Sequence, residues 1–254
     1  SMKSPRILVT NDDGIDSPGI YALWKAMSEV GTPTVIAPTT EQSAASHSIT
    51  LNKPLFINYI SRDYGFEGWS VDGTPADCTK IGLNEVLKQR PDLIISGINC
   101  GANLGVDLIY SGTVSAATEG ALLGIPSIAI SLASFKTDDY RASKIVAIEM
   151  AKHVLKNKMP KGTLLNVNVP YADPKDIKGK LITRQGSQYF MDEFEKRTDP
   201  RENTYYWLKG KKVDNDNSIE YDGKAIKNNY ISITPISFDL TNELYLNDLK
   251  KINE

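Results

Sequence analysis

The most restrictive feature of this sequence is its first strand–helix–strand unit. Arg6-Ile7-Leu8-Val9-Thr10 is a short apolar run with β-branched residues, stopped by Asn11-Asp12-Asp13-Gly14, and Thr34-Val35-Ile36-Ala37 is a second such run, closed by Pro38. Between them Ile20, Leu23, Trp24, Met27 and Val30 recur at helical spacing. Ser17-Pro18 supplies a cap and a first-turn proline, and Gly31 a stop. Two buried strands joined by a helix run parallel, connected by a right-handed crossover.

The pattern recurs. Thr74-Pro75 starts a helix expected to run to about Gln89, and Leu93 to Ile98 is a buried strand. A glycine-rich loop spans Asn99 to Gly112, after which Thr113 is expected to cap a helix of small residues ending at Gly124. Ser127 to Leu132 reads as a strand, Asp138-Asp139 as the opening of a helix to about Lys156, and Leu164 to Val169 as a strand stopped by Pro170. The fold class is therefore α/β, a doubly wound, Rossmann-like parallel sheet, over residues 1–180.

The character changes after about residue 180. Residues 186–230 are polar and aromatic-rich, with Tyr205-Tyr206-Trp207 inside a strand and an exposed turn at 213–218. Tyr230 to Ile236 is a strand and Asn242 to Lys251 a terminal helix. So few buried-type residues cannot cover themselves. Residues 181–254 are read as a smaller C-terminal β-hairpin and helix extension used in oligomerisation, with the strand around Ile231-Ser232-Ile233-Thr234 pairing with another subunit.

Composition narrows the function classes. With 29 Lys and Arg against 31 Asp and Glu, the net charge is −2, which gives no electrostatic reason to expect binding to a nucleic-acid polymer or an anionic membrane. The apolar runs are too short to span a bilayer, and the first residues lack the apolar stretch of a signal peptide. Two cysteines, Cys78 and Cys100, suggest no disulfide framework, so a cytoplasmic location is expected. With only His47 and His153, any metal must rest mainly on oxygen ligands.

Ligands of open α/β sheets bind at the carboxyl ends of strands. There the sequence offers Asp12-Asp13, Glu41-Gln42-Ser43, Asn99 and Ser111-Gly112-Thr113. Two adjacent carboxylates repel each other and call for a cation or a proton, and hard oxygen ligands favour Mg²⁺, Mn²⁺ or Ca²⁺. The bland alternative is a turn, since Asp-Gly is ordinary turn chemistry. Glycines between Gly97 and Gly105 let a backbone approach an anion, and Ser111-Gly112-Thr113 offers hydroxyls and free amides at a helix start. Here the bland alternative is a helix cap. His47 reads as a general acid or, more ordinarily, as a loop histidine with one structural hydrogen bond, and Cys100 as a small packing residue.

At these residues the sequence resembles the SurE family, the stationary-phase survival nucleotidases. The resemblance rests on Ile7 to Ile15, on Ser43 with Ser48-Ile49-Thr50, on Gly73 to Cys78, and on Ser96-Gly97-Ile98-Asn99 with Gly101, Asn103 and Gly105. It continues through Tyr110 to Val114, Leu165 to Pro170 and Ile231 to Pro235. It implies a metal-dependent phosphatase acting on nucleoside 5′- and 3′-monophosphates, with one divalent ion per subunit, Mg²⁺ or Mn²⁺, held by Asp12, Asp13, Ser43 and Asn99. It places Asn11, Gly101, Asn103, Ser111, Gly112 and Thr113 at the phosphate, with Asp12 and Asp13 catalytic. It also implies homodimers or homotetramers in which the C-terminal segment reaches across to another subunit.

Two other readings use an acidic pair after a first strand. An aspartyl-phosphate-forming phosphatase of the haloacid-dehalogenase type needs Asp-x-Asp-Gly, and here Asn11 stands in the nucleophile's place. A phosphoacceptor signalling domain needs an Asp after a later strand, where this chain has Asn99.

Overall fold

The computed structural model of the chain describes residues 3–42, 47–136 and 138–253. The opening unit forms as its pattern dictates: β1 (Arg6–Thr10), α1 (Pro18–Ser28) and β2 (Thr32–Pro38), with β1 and β2 parallel. The Ser17 hydroxyl accepts the Ile20 N–H and caps α1. That helix lies hard against the sheet. A Cβ on Gly19 would fall 2.2 Å from the carbonyl oxygen of Ile98.

A hairpin follows, β3 (Ile57–Ser61) and β4 (Glu67–Val71), then α2 (Pro75–Ile81) and β5 (Leu93–Cys100). Next come α3 (Gly112–Leu122), β6 (Ser127–Ala133), α4 (Arg141–Lys156) and β7 (Thr163–Pro170). The C-terminal part supplies β8 (Lys180–Ile182), the long hairpin β9 (Tyr189–Thr198) and β10 (Thr204–Val213), α5 (Asp222–Lys227), β11 (Ile231–Ser237) and α6 (Glu243–Lys250). Among the described residues nine strands form one sheet in the order β3-β4-β2-β1-β5-β6-β7-β11-β8, and β9 and β10 pair only with each other. The sheet is mostly parallel; β3 with β4 and β11 with β7 are its antiparallel pairs.

The core lies on both faces. Ile7, Val9, Val35 and Ile95 meet Leu23 and Met27 of α1 and Val146 and Met150 of α4. Leu8, Ile36, Val71 and Ile94 meet Cys78 of α2, while Val114, Ala117 and Ala121 of α3 pack on Ala129 and Leu164. Alternate residues of β1 thus serve opposite layers, as the pleat requires. Each fully buried Leu or Ile contributes on the order of 1.5–3 kcal/mol.

Several expectations need correction. The helix from Thr74 ends early: α2 stops at Ile81, a wider turn covers Gly82–Val86, and Leu87 is extended. Gly82 sits against Ile36 and Leu8 where a Cβ would fall 2.7 and 3.0 Å from their side chains. The cap of α3 is Ser111 rather than Thr113, its hydroxyl accepting the Val114 N–H. Asp138-Asp139 precedes rather than opens α4, with Asp139 accepting the Arg141 N–H. The edge hairpin β3–β4 carries no clear alternation and escaped the sequence reading.

The largest correction concerns the C-terminus. The strand around Ile231–Thr234 finds its partners within its own chain. As β11 it lies inside the main sheet, antiparallel to β7 and parallel to β8. Its first four residues are buried, matching an interior strand. Among the described residues the β9–β10 hairpin joins no strand of the main sheet, and no residue of α6 is buried.

Candidate active site

The turn after β1 is folded by Asn11. Its Nδ2 donates to the Gly14 carbonyl at 2.7 Å and the Ser17 hydroxyl at 2.8 Å, and its Oδ1 accepts the Gly14 N–H at 3.2 Å. Gly14 takes φ +102°, open to glycine at little cost. Asn11 is fully buried and its side chain is spent on the turn, so it shapes the loop instead of facing a phosphate as the resemblance implied. The Gln42 N–H donates to the Asp12 carbonyl at 2.9 Å and brings the loop after β2 alongside.

This arrangement sends Asp12 and Asp13 into a cavity of about 320 Å³ at the carboxyl ends of the strands, shared with Glu41, Asn99, Asn103 and Ser111. Two larger clefts, about 600 and 670 Å³, lie at the amino ends near Lys3 and Arg6, away from this combination of acids, carboxamides and helix terminus. The carboxyl of Asp12 is pushed up to about 7 by burial, then by the charges of Asp13 and Glu41. Its Oδ1 is buried and has no hydrogen-bond partner among the described residues. Burial also raises Asp13, although the Cys100 N–H donates to its Oδ2 at 3.0 Å and offsets part of that rise; Glu41 adds to it. Burial raises the Cys100 thiol too, so it is no activated nucleophile, in keeping with a packing role.

Asn99 ends β5 next to a register shift between Ser96 and Asn99. Its Nδ2 donates to the Gly101 carbonyl at 2.9 Å, which leaves Oδ1 as the atom for a cation. Gly101 does not serve an anion with its amide: that N–H goes to the carbonyls of Leu132 and Ser134 at 2.9 and 3.1 Å. Asn103 is anchored by β7. Its N–H donates to Asn168 Oδ1 at 2.8 Å, and its carbonyl accepts from Asn166 and Asn168, both at 3.0 Å. One hydrogen of its Nδ2 goes to Ser131 Oγ at 2.7 Å, and the other is free for the cavity.

Ser111 and Gly112 wall the cavity. The amides of Gly112 and Thr113 head α3, where the first N–H groups of a helix lack intrahelical partners. The Thr113 side chain is fully buried, its hydroxyl has no partner among the described residues, and Thr113 is not part of the cavity wall. A Cβ on Gly112 would fall 2.5 Å from Asp12 Oδ1 and 3.0 Å from its Cγ. The glycine is thus needed for the acid pair as much as for an anion.

His47 makes one strong contact, Nε2 to Glu119 Oε1 at 2.6 Å, and Lys80 Nζ reaches Glu119 Oε2 at 3.0 Å. Burial works to raise Glu119, but these two partners hold it below the ordinary carboxylate value. The structural reading of His47 fits. Ser43 lies outside the described residues. Among the described residues no three His, Cys, Asp or Glu side chains form a metal cage, so a cation here would depend on the two acids and neutral oxygens. The sequence alone assigns no site role to Asp107, Tyr110 and Phe135 of the cavity wall, or to Asn168 behind it, although Tyr110 and Asn168 lie in segments that carry the resemblance. The Asn-x-Asn spacing at the end of β7, two residues apart and so on one face, was the available signal for the last.

The family model described as survival protein SurE matches residues 7–192. The chain belongs to the SurE family. A 5′-nucleotidase SurE of Thermosipho africanus is 47% identical over 245 residues, spanning 96% of each chain. The 5′-nucleotidase SurE of Syntrophus aciditrophicus is 46% identical over 97% of this chain and 93% of that one. The crystal structure of the SurE protein from Aquifex aeolicus superimposes with a TM-score of 0.85 at 39% identity, covering 98% of this chain and 100% of that one. The SurE match takes in every described residue discussed at the acid-pair end of the cavity.

Proposed function

We propose that this protein is a metal-dependent phosphatase that hydrolyses nucleoside 5′- and 3′-monophosphates to nucleoside and phosphate. The observation that carries the reading is the buried acid pair facing the start of α3, with one carboxylate oxygen of Asp12 lacking a partner among the described residues. Two acids and Glu41 repel a phosphate; a helix N-terminus attracts one. A divalent cation between them reconciles the two. The residues fit such an ion: an orphaned carboxylate oxygen, a second carboxylate, and the carboxamide oxygen of Asn99, with Ser43 proposed as a further ligand. All are hard donors, which suits Mg²⁺ or Mn²⁺.

When bound, the ion supplies neutralisation of phosphoryl charge and acidification of a water. Asp12 or Asp13 would orient that water or accept its proton, because a cation between them offsets the repulsion that raises Asp12 in its absence. The Gly112 and Thr113 amides and the Ser111 hydroxyl hold phosphoryl oxygens as charge redistributes. Asn103 offers one further N–H. An aspartyl-phosphate route is not favoured, because Asn11 stands in the nucleophile's place with its side chain folded into the turn.

The assembly belongs to the same reading: a cytoplasmic homodimer or homotetramer joined through the β9–β10 hairpin and α6. Phe190, Phe194, Tyr206, Trp207 and Leu208 are exposed on the hairpin, and no residue of α6 is buried. No helix among the described residues is long and apolar enough to cross a membrane. The test of function is phosphate release across the nucleoside monophosphates with and without each divalent metal. Release in excess chelator equal to that with metal overturns the metal-dependent reading.

A further inference from the structure

Behind the cavity, a buried acid ties the C-terminal part of the chain to the start of the phosphate cradle. Asp222 has no exposed surface and, among the described residues, no ion-pair partner. Its Oδ2 accepts the Gly105 N–H at 2.9 Å, from 117 residues away. Its Oδ1 accepts the N–H groups of Gly186 at 3.0 Å and Gly223 at 2.7 Å. Gly105 is gripped again by Gln185, whose Nε2 donates to its carbonyl at 2.8 Å, and the Val106 N–H donates to the Gln188 carbonyl at 2.8 Å. Nothing larger than glycine fits at 105, since φ is +58° and a Cβ would fall 2.4 Å from the Gln188 oxygen.

Gly105 begins a tight 3-10 connector, Gly105–Tyr110, that runs straight into Ser111, the cap of α3. We propose that Asp222 is a positioning residue for substrate binding: through Gly105 its carboxylate fixes the connector, and so the distance between the first turn of α3 and the acid pair. The inference rests on the reading of that first turn as the phosphate site. A carboxylate suits the task because its two oxygens serve three N–H donors without a cation, so the tether needs no side chain from the cavity. Burial works to raise the Asp222 carboxyl, and the three N–H groups oppose the rise.

Asp222→Asn separates this role from bulk stability. Its single carboxamide oxygen will face Gly186 and Gly223, two bonds against one, and its NH₂ will face the Gly105 N–H, turning an attraction into a donor–donor contact. Inhibition by inorganic phosphate and KM should each weaken about tenfold in the folded, Mg²⁺-loaded variant, while kcat changes by less than about threefold and Mg²⁺ affinity holds. Gln185→Ala, which cuts the second tether from an exposed side chain, should move the same two quantities in the same direction and serves if Asp222→Asn does not fold. Gly112→Ala, which crowds the cavity itself, is the benchmark. Weakened phosphate inhibition in Gly112→Ala with wild-type inhibition in the folded tether variants overturns the inference alone. Unchanged inhibition in all of them overturns the phosphate site and the inference with it.

Discussion

Replacing Asp12 by Asn should make the metal-free protein more stable while removing its activity. The Asp12 carboxyl is raised from 3.8 to about 7 by burial and by its acidic neighbours. That shift of roughly three pH units corresponds to about 4 kcal/mol, and partial solvent contact reduces a realistic figure to about 2 kcal/mol. The native state is the one in which the proton is held more tightly, so ionisation costs the folded protein. The cost is absent well below the unfolded value, grows as pH rises from about 4 to about 7, and is complete above that. Asn, near-isosteric and neutral, escapes it. In chelator at about pH 8 the variant should melt about 4–8 °C above wild type, from roughly 2–4 °C per kcal/mol for a chain of this size. Most of the gap should close at about pH 4.5. Mg²⁺ at about a hundred times its Kd should reverse the order, adding about 2.7 kcal/mol to wild type and little to the variant. Calorimetry under these conditions decides the matter. A variant no more stable than wild type in chelator at about pH 8 refutes the idea that Asp12 is a strained, ion-awaiting acid.

Three other outcomes are expected. Asp13→Asn should lose ~10² or more in turnover while its circular dichroism and melting profile stay near wild type; near-normal turnover removes Asp13 from the site. Gly112→Ala, whose Cβ would stand 2.5 Å from Asp12 Oδ1, should lose most phosphatase activity with little unfolding at assay temperature, and activity falling only in step with unfolding returns the segment to a simple cap. Replacing residues 190–212 by a short Gly-Ser turn should leave the main sheet intact and yield monomers by light scattering, and a persisting oligomer rules out the hairpin as the joining element.

Much of this was legible in the sequence because the informative side chains obey local rules. The apolar runs Ile7–Val9, Leu93–Ile98 and Ser127–Leu132 are buried on both faces, so their composition alone marks strands. Asp12, Asp13, Asn99, Ser111 and Gly112 could be gathered because strand ends in such sheets share one rim. What stayed hidden depended on partners distant in the chain. Asn11 and Gly101 looked like anion ligands, yet their hydrogen bonds are consumed by Gly14 and Ser17 and by Leu132 and Ser134. The Ile231–Thr234 strand looked like an arm for another subunit because nothing near it in sequence could cover it; the covering strands, β7 and β8, lie far upstream. In the β3–β4 hairpin the edge strand β3 has mostly exposed side chains, and the buried positions of β4 include Gly68 and Ser70, so neither carries a clear apolar signature.

The position of β11 also bears on how the chain must be made. Until residues 231–237 leave the ribosome, β7 has an open edge and β8 has no partner at all. Asp222, which holds Gly105, likewise arrives late. Synthesis at about 5–20 residues per second therefore leaves several seconds between completion of the first parallel strands and closure of the sheet, with an unpaired edge inviting other chains. A ribosome stalled near residue 225 would carry a nascent chain with both acids of the buried pair in place and no finished sheet to hold them.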